Sequence, residues 1–272
     1  MGVIATRLGQ IGILDQGSGD APPILFLHGV GSDKSAWAPQ LAHFGATRRA
    51  VALDYPGYGE SDFRAGATRD DYAASVLAAM DALSVEQAHL CGLSLGGVIA
   101  IAVHAAAPGR CASLIIADSF AVHPDGQAIH DRSVAASETM SMRALAEARA
   151  GTLVGKAASE ALRQEVIDTM AAIDPAAYRI GAAAVWLADQ QARVAAIDVP
   201  ALILVGDDDA ITPPALSERL HDLIAGSRLE LVEGAGHLSN LEQPDDFNRR
   251  IDCFLTAIER REKDYRLFNH VI

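Results

Sequence analysis

Cysteine, aromatic residues and positive charge are all scarce in this chain of 272 residues. Its three cysteines are odd in number and far apart in the sequence, a pattern that argues against a disulfide scaffold. We interpret Cys91, Cys111 and Cys253 as buried, reduced thiols. Reduced thiols are typical of a cytoplasmic protein, and a cytoplasmic location is what we expect here.

Basic residues are outnumbered, with 22 Lys and Arg against 35 Asp and Glu, for a net charge of −13. Nucleic acids and anionic membranes select basic surfaces, so we expect neither as a partner. The sequence also lacks an apolar run of about 20 residues that would span a bilayer. No apolar stretch near residue 1 has the form of a signal peptide, which agrees with the cytoplasmic expectation.

Metal-binding patterns are absent as well. The nine histidines contain no H-E-x-x-H spacing, and no EF-hand pattern surrounds the acidic run Asp207-Asp208-Asp209. We therefore expect no metal site. Half of the residues are hydrophobic, which is enough to build the core of one large domain with an inserted lobe.

A short motif carries most of the functional information. Gly92-Leu93-Ser94-Leu95-Gly96 has the G-x-S-x-G form of a nucleophile elbow, a sharp strand-to-helix turn that exposes a serine hydroxyl. An apolar run over 88–91 precedes it, and an apolar run over 98–103 follows, as a buried strand and a buried helix would. Ser94 is therefore the predicted nucleophile.

A nucleophilic serine needs a base, and the base needs a carboxylate that orients it. The apolar strand 201–205 leads into Asp207-Asp208-Asp209, and the strand 229–232 leads toward His237. Polar groups just beyond the carboxyl ends of parallel strands lie where α/β sheets build their sites. His237 is the predicted base, and an aspartate of 207–209 is its predicted partner.

A third strand, 24–27, runs into the loop His28-Gly29-Val30-Gly31. Such a loop can direct a backbone N–H at a developing oxyanion, and the residue after the nucleophile supplies a second N–H. The predicted oxyanion donors are the N–H groups of Val30 and Leu95. The His28 side chain is interpreted as structural, because this chemistry uses the backbone of the loop.

With these motifs in this order, the chain resembles the α/β-hydrolase superfamily over about residues 10 to 260. Asp54-Tyr55-Pro56-Gly57-Tyr58-Gly59-Glu60-Ser61 resembles the D-x-x-G-x-G-x-S loop of that superfamily, and 236–244 resembles its G-H-x-x-x-x-E-x-P segment. Alignment with the family favours Asp209 as the acid over Asp208 and Asp207. Asp118, at the end of the sixth predicted strand, is a rival because some members place the acid there.

The resemblance implies a mostly parallel, eight-stranded sheet with helices on both faces and an inserted helical cap. Strands are predicted near 3–8, 10–15, 24–28, 50–54, 88–92, 113–118, 201–205 and 229–232. The core is expected from residues 1–118 and 198–272, and the cap from 119–197. Predicted to line the pocket are Met140, Met170 and Trp186, with Met142 and Tyr178 as further candidates. One of Arg132, Arg143, Arg149 and Arg179 could meet a substrate carboxylate.

The predicted function is hydrolysis of a small carboxylic ester or lactone through an acyl-enzyme on Ser94, without a metal or an organic cofactor. The run 205–214 and the cap are similar to enol-lactonase-like hydrolases. Two alternatives stay open: a C–C bond hydrolase of an aromatic ring-cleavage product, and a ligand receptor or signalling partner that retains the triad. The sequence also leaves open whether copies of the chain form a homo-oligomer.

Overall fold

An eight-stranded sheet forms the centre of the molecule, seen in a computed structural model that describes residues 2–269 and the side chains of residues 2–260. The strands are β1 (Gly2–Thr6), β2 (Gly9–Gln16), β3 (Ile24–Leu27), β4 (Ala50–Leu53), β5 (Ala88–Leu93), β6 (Cys111–Ala117), β7 (Ala201–Gly206) and β8 (Arg228–Val232). Every residue of β3, β4, β5 and β7 is buried. Such continuous apolar runs are what a parallel sheet covered on both faces requires.

The strand order is β1-β2-β4-β3-β5-β6-β7-β8. Strands β1, β2 and β4 pair antiparallel, and all remaining neighbours pair parallel. The predicted mostly parallel, eight-stranded sheet is therefore confirmed. Because β3, β5, β6, β7 and β8 run in one direction, the loops after their carboxyl ends meet at one edge of the sheet.

Six helices belong to the part of the chain outside the β6–β7 connection: α1 (Ala38–Phe44), α2 (Arg69–Ala82), α3 (Leu95–Ala106), α9 (Pro214–Leu223), α10 (Ser239–Glu242) and α11 (Pro244–Asn269). The α2 helix begins at a capping box, in which Thr68 and Asp71 satisfy each other's backbone N–H groups. The α3 helix has ten buried residues, so it lies inside the molecule against β3, β5 and β6 and fixes the turn that precedes it.

Five helices fill the connection between β6 and β7, and we call them the cap helices: α4 (Gly126–Thr139), α5 (Met142–Leu153), α6 (Glu160–Ala171), α7 (Pro175–Trp186) and α8 (Gln191–Ala195). Local capping explains where three of them begin. The side chains of Ser141, Ser159 and Asp174 accept hydrogen bonds from backbone N–H groups in the first turns of α5, α6 and α7. Pro175 follows at the first helical position, where its missing N–H costs nothing.

A buried ion pair joins the loop after β3 to the loop after β4. Asp54 accepts hydrogen bonds from the Lys34 backbone N–H at 2.9 Å, from Lys34 Nζ at 2.6 Å and from the Glu60 N–H at 3.1 Å. A Cβ at Gly59, whose φ is +50°, would overlap the Asp54 carboxylate. The D-x-x-G-x-G-x-S motif thus anchors the chain just beyond the His28-Gly29-Val30-Gly31 loop.

Two of the three cysteines are buried as expected, and one is not. Cys91 and Cys111 are buried, but Cys253 is exposed. On α11 the side chains of Phe247, Ile251, Phe254, Leu255 and Ile258 pack inward, and Cys253 lies on the opposite side of that stripe. In the described part of the chain, no helix combines the length and the apolar character needed to cross a bilayer.

Candidate active site

Ser94 occupies the turn between β5 and α3 in a strained conformation, with φ of +56° and ψ of −114°. A non-glycine residue at positive φ costs free energy and is held only where its surroundings enforce it. The enforcement comes from glycines. A Cβ at Gly92 would overlap the Gly96 carbonyl, and a Cβ at Gly96 would overlap the Leu27 carbonyl. The G-x-S-x-G spacing therefore reflects close backbone contact between β5, α3 and β3.

His237 lies in the loop after β8 and is paired with Asp209 in the loop after β7. The His237 Nδ1–H donates to Asp209 Oδ2 at 2.9 Å, which leaves Nε2 free to accept a proton. Both side chains are buried, and His237 lines the same small cavity as Ser94. The Ser94 hydroxyl itself makes no hydrogen bond to the residues that the structure describes, so it is free to turn toward a base or a substrate.

The Asp209 carboxylate is held by more than the imidazole. Its Oδ1 accepts from the Ile211 and Thr212 N–H groups at 2.8 and 2.9 Å, and its Oδ2 accepts from Thr212 Oγ1 at 2.7 Å. Thr212 was not predicted as a site residue, although it stands in the run 205–214. A threonine three residues after the acid is the signal that could have indicated this contact.

The other candidate acids have different partners. Asp207 is exposed and accepts from the Gly234 N–H at 2.8 Å, and Asp208 lies 3.7 Å from Lys156 Nζ at the surface. Asp118 is fully buried at φ +47° and accepts from the Gly206 N–H at 2.8 Å and from the Ser239 hydroxyl. Of the four aspartates, Asp209 is the one whose carboxylate the structure brings to His237.

The electrostatics of the buried groups follow from their neighbours. Burial lowers the pKa of His237, but the charge and hydrogen bond of Asp209 and the charge of Asp118 outweigh burial and hold this pKa above its ordinary value. For Asp209, burial would raise the pKa, yet the His237 charge and the Thr212 hydrogen bonds keep it below the usual range. Burial, reinforced by the Asp209 charge, raises the pKa of Asp118.

Val30 and Leu95 are the two predicted oxyanion donors, and both lie near Ser94. Val30 lines the Ser94 cavity, and its carbonyl accepts from the Tyr58 hydroxyl at 3.2 Å. The Val30 N–H has no acceptor among the residues that the structure describes. Leu95 is the first residue of α3, so its N–H has no intrahelical acceptor. The His28 side chain packs against Tyr55 and Tyr58, with ring centroids 4.4 and 5.0 Å apart, in a structural position.

Glu242 is a further residue that the motif contained but that was not assigned a role. Its Oε1 accepts from the Gly236 and Leu238 N–H groups at 3.0 and 3.3 Å, on the two sides of His237. Its Oε2 accepts from the Gly155 N–H, in the loop between α5 and α6, at 2.7 Å. One carboxylate thus holds the histidine loop in place and connects it to the cap helices.

The cavity at Ser94 is small, about 30 Å³, and lies between the sheet edge and the cap helices. The cap helices contribute Arg149, Leu153, Val166 and Trp186 to its wall. Trp186, one of the predicted pocket residues, is among them. Met140 is not: it is 40% exposed and lies at the end of α4, away from the cavity. Met140 follows the last residue of α4, and its side chain is exposed there instead of lining the cavity, contrary to the pocket prediction.

Met170, which was also predicted to line the pocket, lies behind the cavity wall. It is buried, but it is not among the residues that line the cavity. A Cβ added at Gly31 would meet its sulfur at 3.4 Å and its Cγ at 3.7 Å. Met170 therefore packs against the loop that carries Val30 and supports that loop from the cap side, instead of forming the cavity wall.

The sheet, the strained serine turn and the aspartate and histidine loops at one sheet edge define the class of α/β hydrolases. Comparison with known families agrees: the model of the alpha/beta hydrolase family matches residues 24–250. The chain belongs to the alpha/beta hydrolase family, and the resemblance seen in the sequence is confirmed.

Individual relatives cover almost the whole chain. The sequence is 30% identical to 3-oxoadipate enol-lactonase 1 of Acinetobacter baylyi over 260 residues, covering 94% of this chain and 97% of that protein. It is 28% identical to carboxylesterase YbfK of Bacillus subtilis, covering 93% and 86%. The crystal structure of the enol-lactonase from Burkholderia xenovorans LB400 superposes with a TM-score of 0.88 at 28% identity, covering 94% and 100%.

Proposed function

We propose that this protein hydrolyses a small carboxylic ester or lactone through a covalent acyl-enzyme on Ser94. The observation that carries the proposal is the pairing of His237 with Asp209 at 2.9 Å beside the cavity that Ser94 lines. An imidazole whose Nδ1–H is bound to a carboxylate presents a basic Nε2, which is what activation of a serine hydroxyl needs.

In the first half of the reaction, His237 Nε2 takes the proton of the Ser94 hydroxyl as Oγ attacks the carbonyl carbon of the substrate. The N–H groups of Val30 and Leu95 donate to the oxyanion that forms, and the amino-terminal end of α3 adds its positive dipole. When the tetrahedral intermediate collapses, the alcohol oxygen leaves with the proton that His237 carries. Asp209 stabilises the imidazolium in this interval.

In the second half, a water molecule attacks the acyl-enzyme and gives its proton to His237. The proton returns to Ser94 Oγ as the acid is released, so the free enzyme is restored. For a lactone, the leaving alcohol stays attached to the acyl group, and a single hydroxy acid is the product. Neither half-reaction needs a group other than water and the residues named.

The relatives favour this proposal over the two alternatives. Proteins named enol-lactonase and carboxylesterase cover most of the chain at 28–30% identity. A meta-cleavage product hydrolase from Pseudomonas fluorescens is 20% identical in sequence, which supports a common fold but not a common C–C cleavage reaction. A receptor that retains the triad would bind its ligand without rapid release of product.

Steady-state assays with short-chain p-nitrophenyl esters, small lactones and ring-cleavage products test the proposal. We expect many turnovers per enzyme molecule with an ester or a lactone, because hydrolysis of the acyl-enzyme restores free Ser94. Slow acylation that stops after one equivalent would support the receptor alternative. Preferential turnover of a ring-cleavage product would support C–C hydrolysis and contradict the ester or lactone assignment.

The pH dependence of kcat/KM is a second expected result. His237 must be neutral to accept the Ser94 proton, and its pKa is held above the ordinary histidine value of about 6.5. Activity is therefore lost as the pH falls through that raised pKa, and the midpoint of the acidic limb lies above about 6.5. A wild-type midpoint below the ordinary value would contradict the assigned electrostatics. Asp208→Asn serves as the control and leaves the midpoint unchanged, because Asp208 lies at the surface.

A further inference from the structure

A second, larger cavity of about 1000 Å³ adjoins the cavity at Ser94. Its wall consists of α4 and α5 of the cap helices on one side and of the loop 210–213 and the first turns of α9 on the other. We call it the outer cleft. Arg149 and Trp186 line both spaces, so the two cavities share one wall.

We propose that the outer cleft binds an anionic group, a carboxylate or a phosphate, at the far end of the ester or lactone that Ser94 attacks. This inference rests on the proposed function and extends it to the chemical class of the substrate. A small uncharged ester would place no group against the arginines of the outer cleft, whereas the preferred substrate would place its anionic end there.

Three arginines converge on the outer cleft: Arg132 on α4, Arg149 on α5 and Arg219 on α9. None of them forms an ion pair with a carboxylate among the residues that the structure describes. Asp125 is the single acidic residue in the described wall of the cleft.

Other arginines show the contrast. Arg143, on the same helix as Arg149, pairs with Asp168 at 2.7 Å. Arg193 pairs with Asp70 at 2.6 Å, and Arg110 with Asp81 at 2.8 Å. The positive charge at the outer cleft is thus left uncompensated by the protein itself, and a bound anion would compensate it. Guanidinium groups bind carboxylate and phosphate through paired hydrogen bonds.

An indole N–H adds a second, independent observation. Trp186 is 2% exposed, and its Nε1 has no hydrogen-bond partner among residues 2–260, whose side chains the structure describes. A buried donor without an acceptor costs free energy, and this one belongs to a residue in the shared wall of the two cavities. Nε1 has almost no accessible surface, so a ligand oxygen reaches it only after the indole ring turns.

Arg149 is already oriented for such a ligand. One of its terminal nitrogens donates to the buried Tyr178 hydroxyl at 2.9 Å. Because a guanidinium has five N–H donors in a rigid plane, the remaining donors of Arg149 are held in a set direction and stay available. Arg149 thus keeps donors without a partner among the described residues, in the wall that the two cavities share.

Size and polarity separate the roles of the two spaces. A cavity of about 30 Å³ has room for little more than a water molecule or a reacting carbonyl group. The outer cleft holds much more, and Ile129, Ala136, Leu145, Ile211 and Leu216 give it an apolar surface. An acyl or alkyl chain would pack on these side chains while its charged end meets the arginines.

The test compares three esters of equal chain length: monomethyl adipate, its terminal amide, and the methyl ester that ends in a phosphate. We expect the wild-type enzyme to have a higher kcat/KM for an anionic ester than for the amide. In Arg132→Ala/Arg219→Ala this preference should fall by about tenfold or more, mainly through KM, since a hydrogen-bonded charge contributes this much. The kcat/KM for the amide should stay within about twofold, a range typical of surface substitutions.

Arg143→Ala is the matched control, because it also removes a cap arginine but one that is paired with Asp168. It should retain the full preference for the anionic ester. The anionic ester whose kcat/KM falls more in the double variant shows whether the cleft prefers a carboxylate or a phosphate. Equal turnover of all three esters by the wild-type enzyme, or an equal loss for the amide and the anionic esters, would overturn the proposal. If none of the three esters is hydrolysed, it is the ester hydrolase function that fails.

Discussion

Ser94→Ala is expected to abolish both ester hydrolysis and covalent labelling by a fluorophosphonate probe. The substitution removes the one hydroxyl that β5 and α3 hold in a strained turn beside the His237 imidazole. Loss of the nucleophile in a serine hydrolase lowers kcat by about 10⁶-fold. Labelling is measured by intact-protein mass spectrometry, and the residual rate by a p-nitrophenyl ester assay.

Ser217→Ala provides the matched control for this experiment. Ser217 is also fully buried, and its hydroxyl has no hydrogen-bond partner, so its removal leaves no polar group unsatisfied. This variant should label and turn over substrate like the wild-type protein. If Ser94→Ala were labelled at the wild-type rate, another residue would have to be the nucleophile.

Asp209→Asn is expected to have the second-largest effect, a loss of up to about 10⁴-fold in kcat. The carboxylate accepts the His237 Nδ1–H at 2.9 Å. An asparagine that turns its amide N–H₂ toward Nδ1 would favour the tautomer with the proton on Nε2, and this imidazole cannot take a proton from Ser94. The substitution also removes the charge that stabilises the imidazolium.

Two further variants make the assignment of the acid specific. Asp208→Asn should change kcat by less than about twofold, because Asp208 is exposed and its contact with Lys156 is 3.7 Å long. Asp118→Asn should retain most of the activity, because Asp118 contacts the Gly206 N–H and Ser239 instead of His237. A larger loss in Asp118→Asn than in Asp209→Asn would move the role of the acid to Asp118.

Local sequence was sufficient to predict the sheet and the turn at Ser94. The strands β3, β4, β5 and β7 are short apolar runs bounded by loop residues, and the observed bounds lie within a few residues of those expected. The turn at Ser94 was predictable from Gly92 and Gly96. A glycine at each of these positions is required by backbone atoms that lie close by, so the spacing itself carried the information.

The choice among the aspartates was not decidable from the residues alone. Asp207, Asp208 and Asp209 are adjacent and chemically identical, and only alignment with the family favoured the third. In the structure, the direction of the chain after β7 turns Asp209 inward to Thr212 and His237 and leaves Asp207 and Asp208 exposed. A difference of one residue in a loop decides between a buried and a solvated carboxylate.

The cap helices mark the limit of the sequence pattern. The resemblance implied a helical cap over 119–197, and some of its large apolar residues were predicted to line the pocket, but a cap helix packs against its neighbours as well as toward the cavity. Hydrophobicity does not distinguish these two kinds of apolar residue. Met140 was therefore predicted to line the pocket, although it is exposed. Met170 was also predicted to line it, although it packs against the loop that carries Val30. Trp186 reaches both cavities.

The sequence by itself determined the class of fold, the strained turn at Ser94 and the order of the serine, aspartate and histidine segments, because these depend on short-range constraints such as buried runs and glycine contacts. Only the tertiary structure decided which aspartate meets His237, which cap residues face Ser94 and which arginines converge on the outer cleft. Those features arise from residues far apart in the chain, such as Arg132 and Arg219, and their proximity depends on how the cap helices pack against the core.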